Sequence, residues 1–383
     1  MSSWALPCGL LVLVLLVQTA SRHHALRRLF VWLPIPLWCY GLPMLLHAVG
    51  LLPASHSSYQ WIAEWILPMA LGLLLVSIDV SALARLGAHA MLAMAAGAMG
   101  IMLGGVVMVG VLRAWLAANA WQGIGLLTAT WTGGSLNMLA LQQILAAPQS
   151  VFAPLVVVDT LVAYSWMACL MAGKGWETTV NRWLGVRDVS LYPVAKPEES
   201  SRHPWSPHQL AAIGLVVVLT LGSRWTASLL PRGSFMASIS GWTILLVTTG
   251  ALLLACVPSI RRFGQAGERI GYAGLYLMLT ALGAQASVRA LAATPIWIVI
   301  GFGVVGCHVL MLLAAGRLFR LPLSLLATAS QANVGGVVSA PLVGAVYHPK
   351  LAPVGLVLAV AGNALGTYLG LCTATVGRVV LGQ

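Results

Sequence analysis

Apolar runs long enough to cross a bilayer recur at about 4–20, 30–52, 60–84, 86–111, 151–171, 208–230, 236–257, 271–290, 294–316 and 352–376, judged against ~20 residues per helical crossing. Two more apolar stretches, about 121–145 and 321–347, are interrupted by Gly, Asn, Ser, Thr and Pro. Irregular backbone survives at membrane depth only where it is buried in protein or lines a cavity, so these two are expected to be broken or re-entrant elements. The pattern predicts an all-α polytopic membrane protein with about ten transmembrane helices and two re-entrant hairpins.

The two halves of the chain resemble each other. Thr132-Gly133-Gly134-Ser135-Leu136-Asn137 sits in the first broken element, and Asn333-Val334-Gly335-Gly336-Val337-Val338-Ser339 occupies the corresponding place in the second. Each half then opens its last helix on an Ala-Pro pair, Ala153-Pro154 and Ala352-Pro353. A repeat with an odd number of spans must enter the membrane in opposite senses, which predicts inverted repeats over 1–171 and 207–383 joined by a cytoplasmic linker, 172–206. With both hairpins returning to the side they left, fifteen Lys and Arg fall inside and five outside, so the positive-inside rule puts both termini outside. The first ten residues carry no basic side chain and Arg22, Arg27 and Arg28 follow the first apolar run, an order that favours a retained helix over a cleaved signal.

Composition narrows the class. Only 7% of the 383 residues are charged and 60% are apolar, whereas about 25% of a soluble protein is charged. The net charge of +12 would suit a nucleic-acid partner, but the basic residues lie between the apolar runs rather than on one face, so no nucleic acid is expected and membrane lipids are. The six cysteines stand singly in apolar segments without metal-ligand spacing and read as small buried packing residues. No cofactor is implied beyond a coupling Na⁺ or H⁺.

Three of the eight acids fall within apolar spans: Glu64, Asp79 and Asp159. A carboxylate at mid-helix costs about 2.5–3.5 kcal/mol on insertion scales and so faces a partner or a cavity. Asp79 reads either as an interfacial partner of Arg85 or as an ion or proton ligand. Asp159 reads as a coupling residue against a buried structural Asp, and Glu64, beside Trp61 and Trp65, as an interfacial anchor. The broken elements carry the more specific signal, with Thr132, Gly133, Gly134, Ser135 and Asn137 in the first and Gln331, Asn333, Gly335 and Gly336 in the second as candidate substrate contacts. Asn363 and Thr367 share a face of the last helix beside Gly362, Gly366 and Gly370, Asn363 as either an interhelical hydrogen bond or a wall of the site and Thr367 as an ion or proton ligand. His47, His89 and His308 read as single core or interfacial histidines. HExxH, GxSxG and P-loop signatures are absent from the sequence, and Val158-Asp159-Thr160 lacks the context of an intramembrane aspartyl protease, so no enzyme is expected. A channel or facilitator, and an intramembrane enzyme using Asp79 and Asp159, are the alternatives.

Through Thr130-Trp131-Thr132-Gly133-Gly134-Ser135-Leu136-Asn137, Ser330-Gln331-Ala332-Asn333-Val334-Gly335-Gly336 and Asn363-Ala364-Leu365-Gly366-Thr367-Tyr368-Leu369-Gly370, nearly the whole chain resembles the bacterial integral-membrane family known as domain of unknown function 819. That family's usual first-half motif is GS-x-x-GG-x-x-N, from which the polar pair before Gly133 departs slightly. The family is distantly similar to the sodium-coupled glutamate symporters. The resemblance implies an elevator-type carrier in the bacterial inner membrane, with 4–52 and 208–257 as scaffold and homodimer surface and 60–171 and 271–376 as transport elements. Its cargo would be a small polar solute: an amino acid, organic acid, short peptide or cell-wall fragment. One cation moving down 100 mV supplies about 2.3 kcal/mol, enough for roughly forty-fold accumulation.

Overall fold

The computed structural model describes residues 5–26, 29–30, 35–78, 87–186, 207–231, 238–286 and 294–383. Among them all regular structure is helical: α1 (Ala5–Arg22), α2 (Ile35–Ala48), α3 (Ser57–Val76), α4 (Ala88–Leu112), α5 (Ala120–Gly133), α6 (Ser135–Ile144), α7 (Gln149–Ala172), α8 (Glu177–Leu184), α9 (Pro207–Leu229), α10 (Ile239–Ala255), α11 (Pro258–Gln285), α12 (Thr294–Phe319), α13 (Leu323–Val334), α14 (Gly336–Tyr347) and α15 (Leu351–Val380). Seven described helices are long and apolar enough to cross a membrane, and the protein is an all-α, multi-pass membrane protein. The runs expected at 30–52 and 236–257 appear as shorter apolar helices, α2 and α10. The run expected at 271–290 is the end of α11, which begins earlier and takes in Arg261, Arg262, Glu268 and Arg269.

Contacts divide the chain into two compact units. The first comprises 1–78, 142–160 and 202–295. Its helix α3 holds a π-turn over Ile62–Ile66, in which the Leu67 N–H reaches the Ile62 carbonyl. Pro68 explains the turn, because it has no N–H to give the Glu64 carbonyl and its ring would crowd that oxygen in a regular α-helix. Glu64, on this turn, accepts a hydrogen bond from Arg224 of α9 at 3.0 Å, and the Arg224 guanidinium lies over the Trp65 ring at 4.7 Å. The acid read as an interfacial anchor is thus ion-paired within this unit. A Cβ on Gly72 would stand 2.6 Å from Val216, so α3 packs directly on α9. This unit holds α3 and α11, the third element of each half, with the first two helices of each half and residues 142–160.

The second unit comprises 79–141, 161–201 and 296–383. Its spine is α5 against α15, antiparallel and built from small residues. A Cβ on Gly125 would meet Ala374, and one on Gly133 would meet the Gly362 carbonyl and the Gly366 Cα, each at 2.7 Å. Lipid supplies no hydrophobic drive between helices, so such close backbone contact is the available source of cohesion. The 172–206 segment, read as linker, starts as structure in this unit: α8 buries Leu184, and Asn181 Oδ1 caps α13 by accepting the Leu323 N–H at 2.8 Å. The reading of the cysteines needs correction, since Cys39 alone is buried, Cys307 is half-buried, and Cys8, Cys169, Cys256 and Cys372 are exposed. On apolar membrane helices an exposed thiol packs as readily against lipid as a buried one does against protein.

Candidate functional site

Both broken elements are helix pairs that part at the glycines. α5 ends at Gly133, and Gly134 takes φ +75° before α6 begins; α13 ends at Val334, and Gly336 takes φ +72° at the start of α14. Positive φ is a conformation glycine adopts without penalty and other residues avoid, so the pairs fix where each helix stops. Both breaks lie in the second unit. The shafts leading to them, residues 120–133 and 323–334, are almost wholly buried, while Gly134, Ser135, Gly335 and Gly336 at the tips are half-buried.

At the first break Thr132 and Asn137 spend their side chains internally, while Thr128 Oγ1 in the shaft is buried without a partner. Thr132 Oγ1 donates to the Thr128 carbonyl at 2.7 Å. Asn137 Nδ2 donates to the carbonyls of Gly133 and of Asn363. Asn137 Oδ1 accepts from both the N–H and the hydroxyl of Thr367. A carboxamide has two N–H groups and two lone pairs on oxygen, so Asn137 is saturated. The Asn363 C=O and the Thr367 N–H are the two groups an α-helix would pair with each other, so Asn137 engages one rung of the α15 ladder. Of the candidates here, Ser135 and the Asn363 side chain make no hydrogen bond among the described residues, and Asn363 Oδ1 lies 3.3 Å from where a Cβ on Gly134 would stand.

The second break is less complete. Gln331 Nε2 donates to Ser339 Oγ at 2.8 Å across the tip, over the bare Cα of Gly335. Asn333 Nδ2 donates to the Met94 carbonyl of α4 at 3.1 Å. Gln331 Oε1 and Asn333 Oδ1 are buried and without a partner.

Sequence reasoning passed over a residue beside these. His308 of α12 is fully buried, with Nδ1 2.8 Å from the Gly97 carbonyl and Nε2 2.8 Å from Ser330 Oγ, which also accepts from Trp166 Nε1 at 2.8 Å. A histidine in an apolar span without neighbouring polar residues in sequence gives no local signal of such a cluster. Asp159 is half-buried on α7 and falls in the first unit. Asp79 lies outside the described residues. Among the described residues no group of three or more His, Cys, Asp or Glu is placed to hold a metal, and Glu177 is the one described acid of the second unit.

A family described as "Protein of unknown function (DUF819)" matches residues 9–379. The chain belongs to this family. It is also similar to the "Uncharacterized membrane protein YjcL" of Bacillus subtilis (strain 168), at 21% identity over 338 residues that cover 84% of this chain and 85% of that protein. A second membrane protein aligned over most of its length agrees with the apolar helices, and the DUF819 chain is in contact with lipid.

Proposed function

We propose that this DUF819 protein is a secondary active transporter that moves a small polar solute across the bacterial inner membrane, coupled to Na⁺ or H⁺. The observation that carries the reading is the pair of glycine breaks in one unit, with buried shafts and half-buried tips. Broken helices present N-terminal amides to anionic groups and C-terminal carbonyls to cations. Here α6 and α14 supply the amides, and the ends of α5 and α13 supply the carbonyls. Ser135 and Asn363 are the solute-facing side chains, while Asn137 and Thr367 hold the first tip in place. In the elevator form of this reading the second unit moves, the first unit is the scaffold through which two copies pair, and no covalent bond is made or broken. Amino acids, organic acids, short peptides and cell-wall fragments are the solute classes to screen.

The test is uptake by the full chain reconstituted in liposomes under an imposed Na⁺ or H⁺ gradient and a panel of labelled solutes. Accumulation of one class above equilibrium, abolished by collapsing the matching gradient, is the expected result. Equal fluxes with and without either gradient would instead identify a facilitator or channel.

A further inference from the structure

Two helix ends of the second unit lie side by side and close in the same way. A Cβ on Gly185, just past α8, would stand 2.9 Å from Arg317 Nη1, and one on Gly316 of α12 would stand 3.1 Å from Leu184 Cδ2. The α8 end closes with the Val186 N–H on the Asn181 carbonyl at 3.0 Å and with Gly185 left-handed at φ +73°. The α12 end closes with the Leu321 N–H on the Gly316 carbonyl at 2.9 Å, and there the left-handed residue is Arg320, at φ +55°. Such a turn favours glycine, because a Cβ in the left-handed region crowds the backbone. An arginine in that place costs the turn stability and keeps a cation at the corner.

The corner holds more cation than it pairs. Arg182 on α8, Arg317 and Arg320 are exposed, and their side chains have no ion pair or hydrogen-bond partner among the described residues. Glu177, the one described acid of this unit, is taken by Lys174 at 2.7 Å. Apolar side chains stand open beside the arginines: Trp176 and Trp183 are 72% and 56% exposed, and Leu318 and Phe319 are exposed as well. With 26 residues α12 is longer than the ~20 a crossing takes, so its end at Phe319 reaches the edge of the hydrocarbon. The contacts between the two ends bring α8 to the same level, where indole rings sit among lipid headgroups.

We infer that this corner binds anionic phospholipids, with Arg182, Arg317 and Arg320 taking headgroup phosphates and Trp176 and Trp183 lying against the glycerol and upper acyl chains. Unpaired guanidinium groups call for an anion, and their planar forks match a phosphate. The open indoles, Leu318 and Phe319 call for an apolar body next to that anion. A free anion answers only the first demand, and an acidic lipid answers both. The inference stands apart from the transport reading.

The other face of α8 carries the effect inward. Asn181 Oδ1 accepts the Leu323 N–H that opens α13, and Leu184 is buried. Lipid that holds α8 against the membrane surface therefore also holds the start of the shaft that leads to the second break, and it stabilises this arrangement by mass action.

The experiment places the full chain in phosphatidylcholine nanodiscs doped with photoactivatable phosphatidylglycerol or, in a matched sample, photoactivatable phosphatidylcholine, and reads the labelled peptides by mass spectrometry. An arginine at a lipid surface is worth about fivefold in affinity for an acidic lipid. Labelling of residues 174–186 and 317–323 by the anionic probe should therefore exceed labelling by the neutral one by about tenfold or more. Arg182→Gln should cut that ratio about fivefold, and Arg182→Gln, Arg317→Gln and Arg320→Gly together should bring it close to one; if the triple variant does not fold, Arg182→Gln decides. Arg320→Gly separates lipid binding from architecture, since glycine suits the left-handed turn. It should melt no lower than the parent in lipid-free detergent while its labelling ratio falls. Equal labelling by the two probes, a ratio unchanged in Arg182→Gln or in Arg320→Gly, or label lost to added inorganic phosphate would each overturn the inference.

Discussion

The two helix breaks each have a glycine pair and an asparagine nearby, yet they spend these residues differently. The first asparagine, Asn137, uses all its hydrogen-bonding capacity on Gly133, Asn363 and Thr367 and ties the break into α15. The second, Asn333, makes one bond to α4 and leaves its carbonyl open beside His308 and Ser330. The glycines differ in the same sense. Gly133 is wedged against the backbone of α15, whereas what crowds Gly335 is the ends of two side chains, Gln331 and Ser339. The asparagine of the first break is therefore saturated, and that of the second has capacity to spare. A shared glycine pair does not entail a shared role.

The largest test of this contrast is Gly133→Val, which drives a branched side chain into the Gly362 carbonyl and the Gly366 Cα, neither of which can turn away. Recovery of monodisperse protein in detergent should be lost, while Gly335→Ala, displacing only flexible amide and hydroxyl ends, should cost about 1 kcal/mol, the worth of one hydrogen bond. Next comes Asn137→Ala, which removes the bonds to the carbonyls of Gly133 and Asn363 and to the N–H and hydroxyl of Thr367 and should lower stability by about 2–4 kcal/mol, read as a fall in melting temperature. Asn333→Leu gives up one bond but also removes an unpaired buried oxygen, so its cost should stay near 1 kcal/mol; a loss equal to that of Asn137→Ala would erase the distinction between the two breaks. The smallest stability effect belongs to Ser135→Ala, within about 0.5 kcal/mol because the hydroxyl has no partner among the described residues. Under the transport reading the same variant should lower solute accumulation about tenfold, and an unchanged uptake would move the binding role off the first tip.

Much of the fold was legible because membrane helices advertise themselves by run length. The apolar runs at 4–20, 86–111, 294–316 and 352–376 each correspond to a long helix, α1, α4, α12 and α15. Gly133-Gly134 and Gly335-Gly336 announced both breaks, since a polar stretch with paired glycines cannot continue an apolar helix at no cost. The site was less legible. Asn137 follows its glycine pair and Asn333 precedes its own, and neither position tells how many backbone groups reach each carboxamide. His308 was passed over for a related reason. Its partners Gly97, Trp166 and Ser330 lie 211, 142 and 22 residues away, and nothing local marks a side chain whose neighbours come from three other helices.

The sequence alone determined that this chain is helical, crosses a membrane several times and breaks two of its elements at fixed glycines. Those properties follow from the cost of exposing backbone to lipid, which each segment must meet by itself. Only the tertiary structure decided that the third element of each half packs with the first two, that Glu64 pairs with Arg224, and that one asparagine is saturated while the other keeps an open acceptor. Such outcomes depend on which distant groups arrive within about 3 Å of one another, and hydropathy along a chain holds no record of that distance.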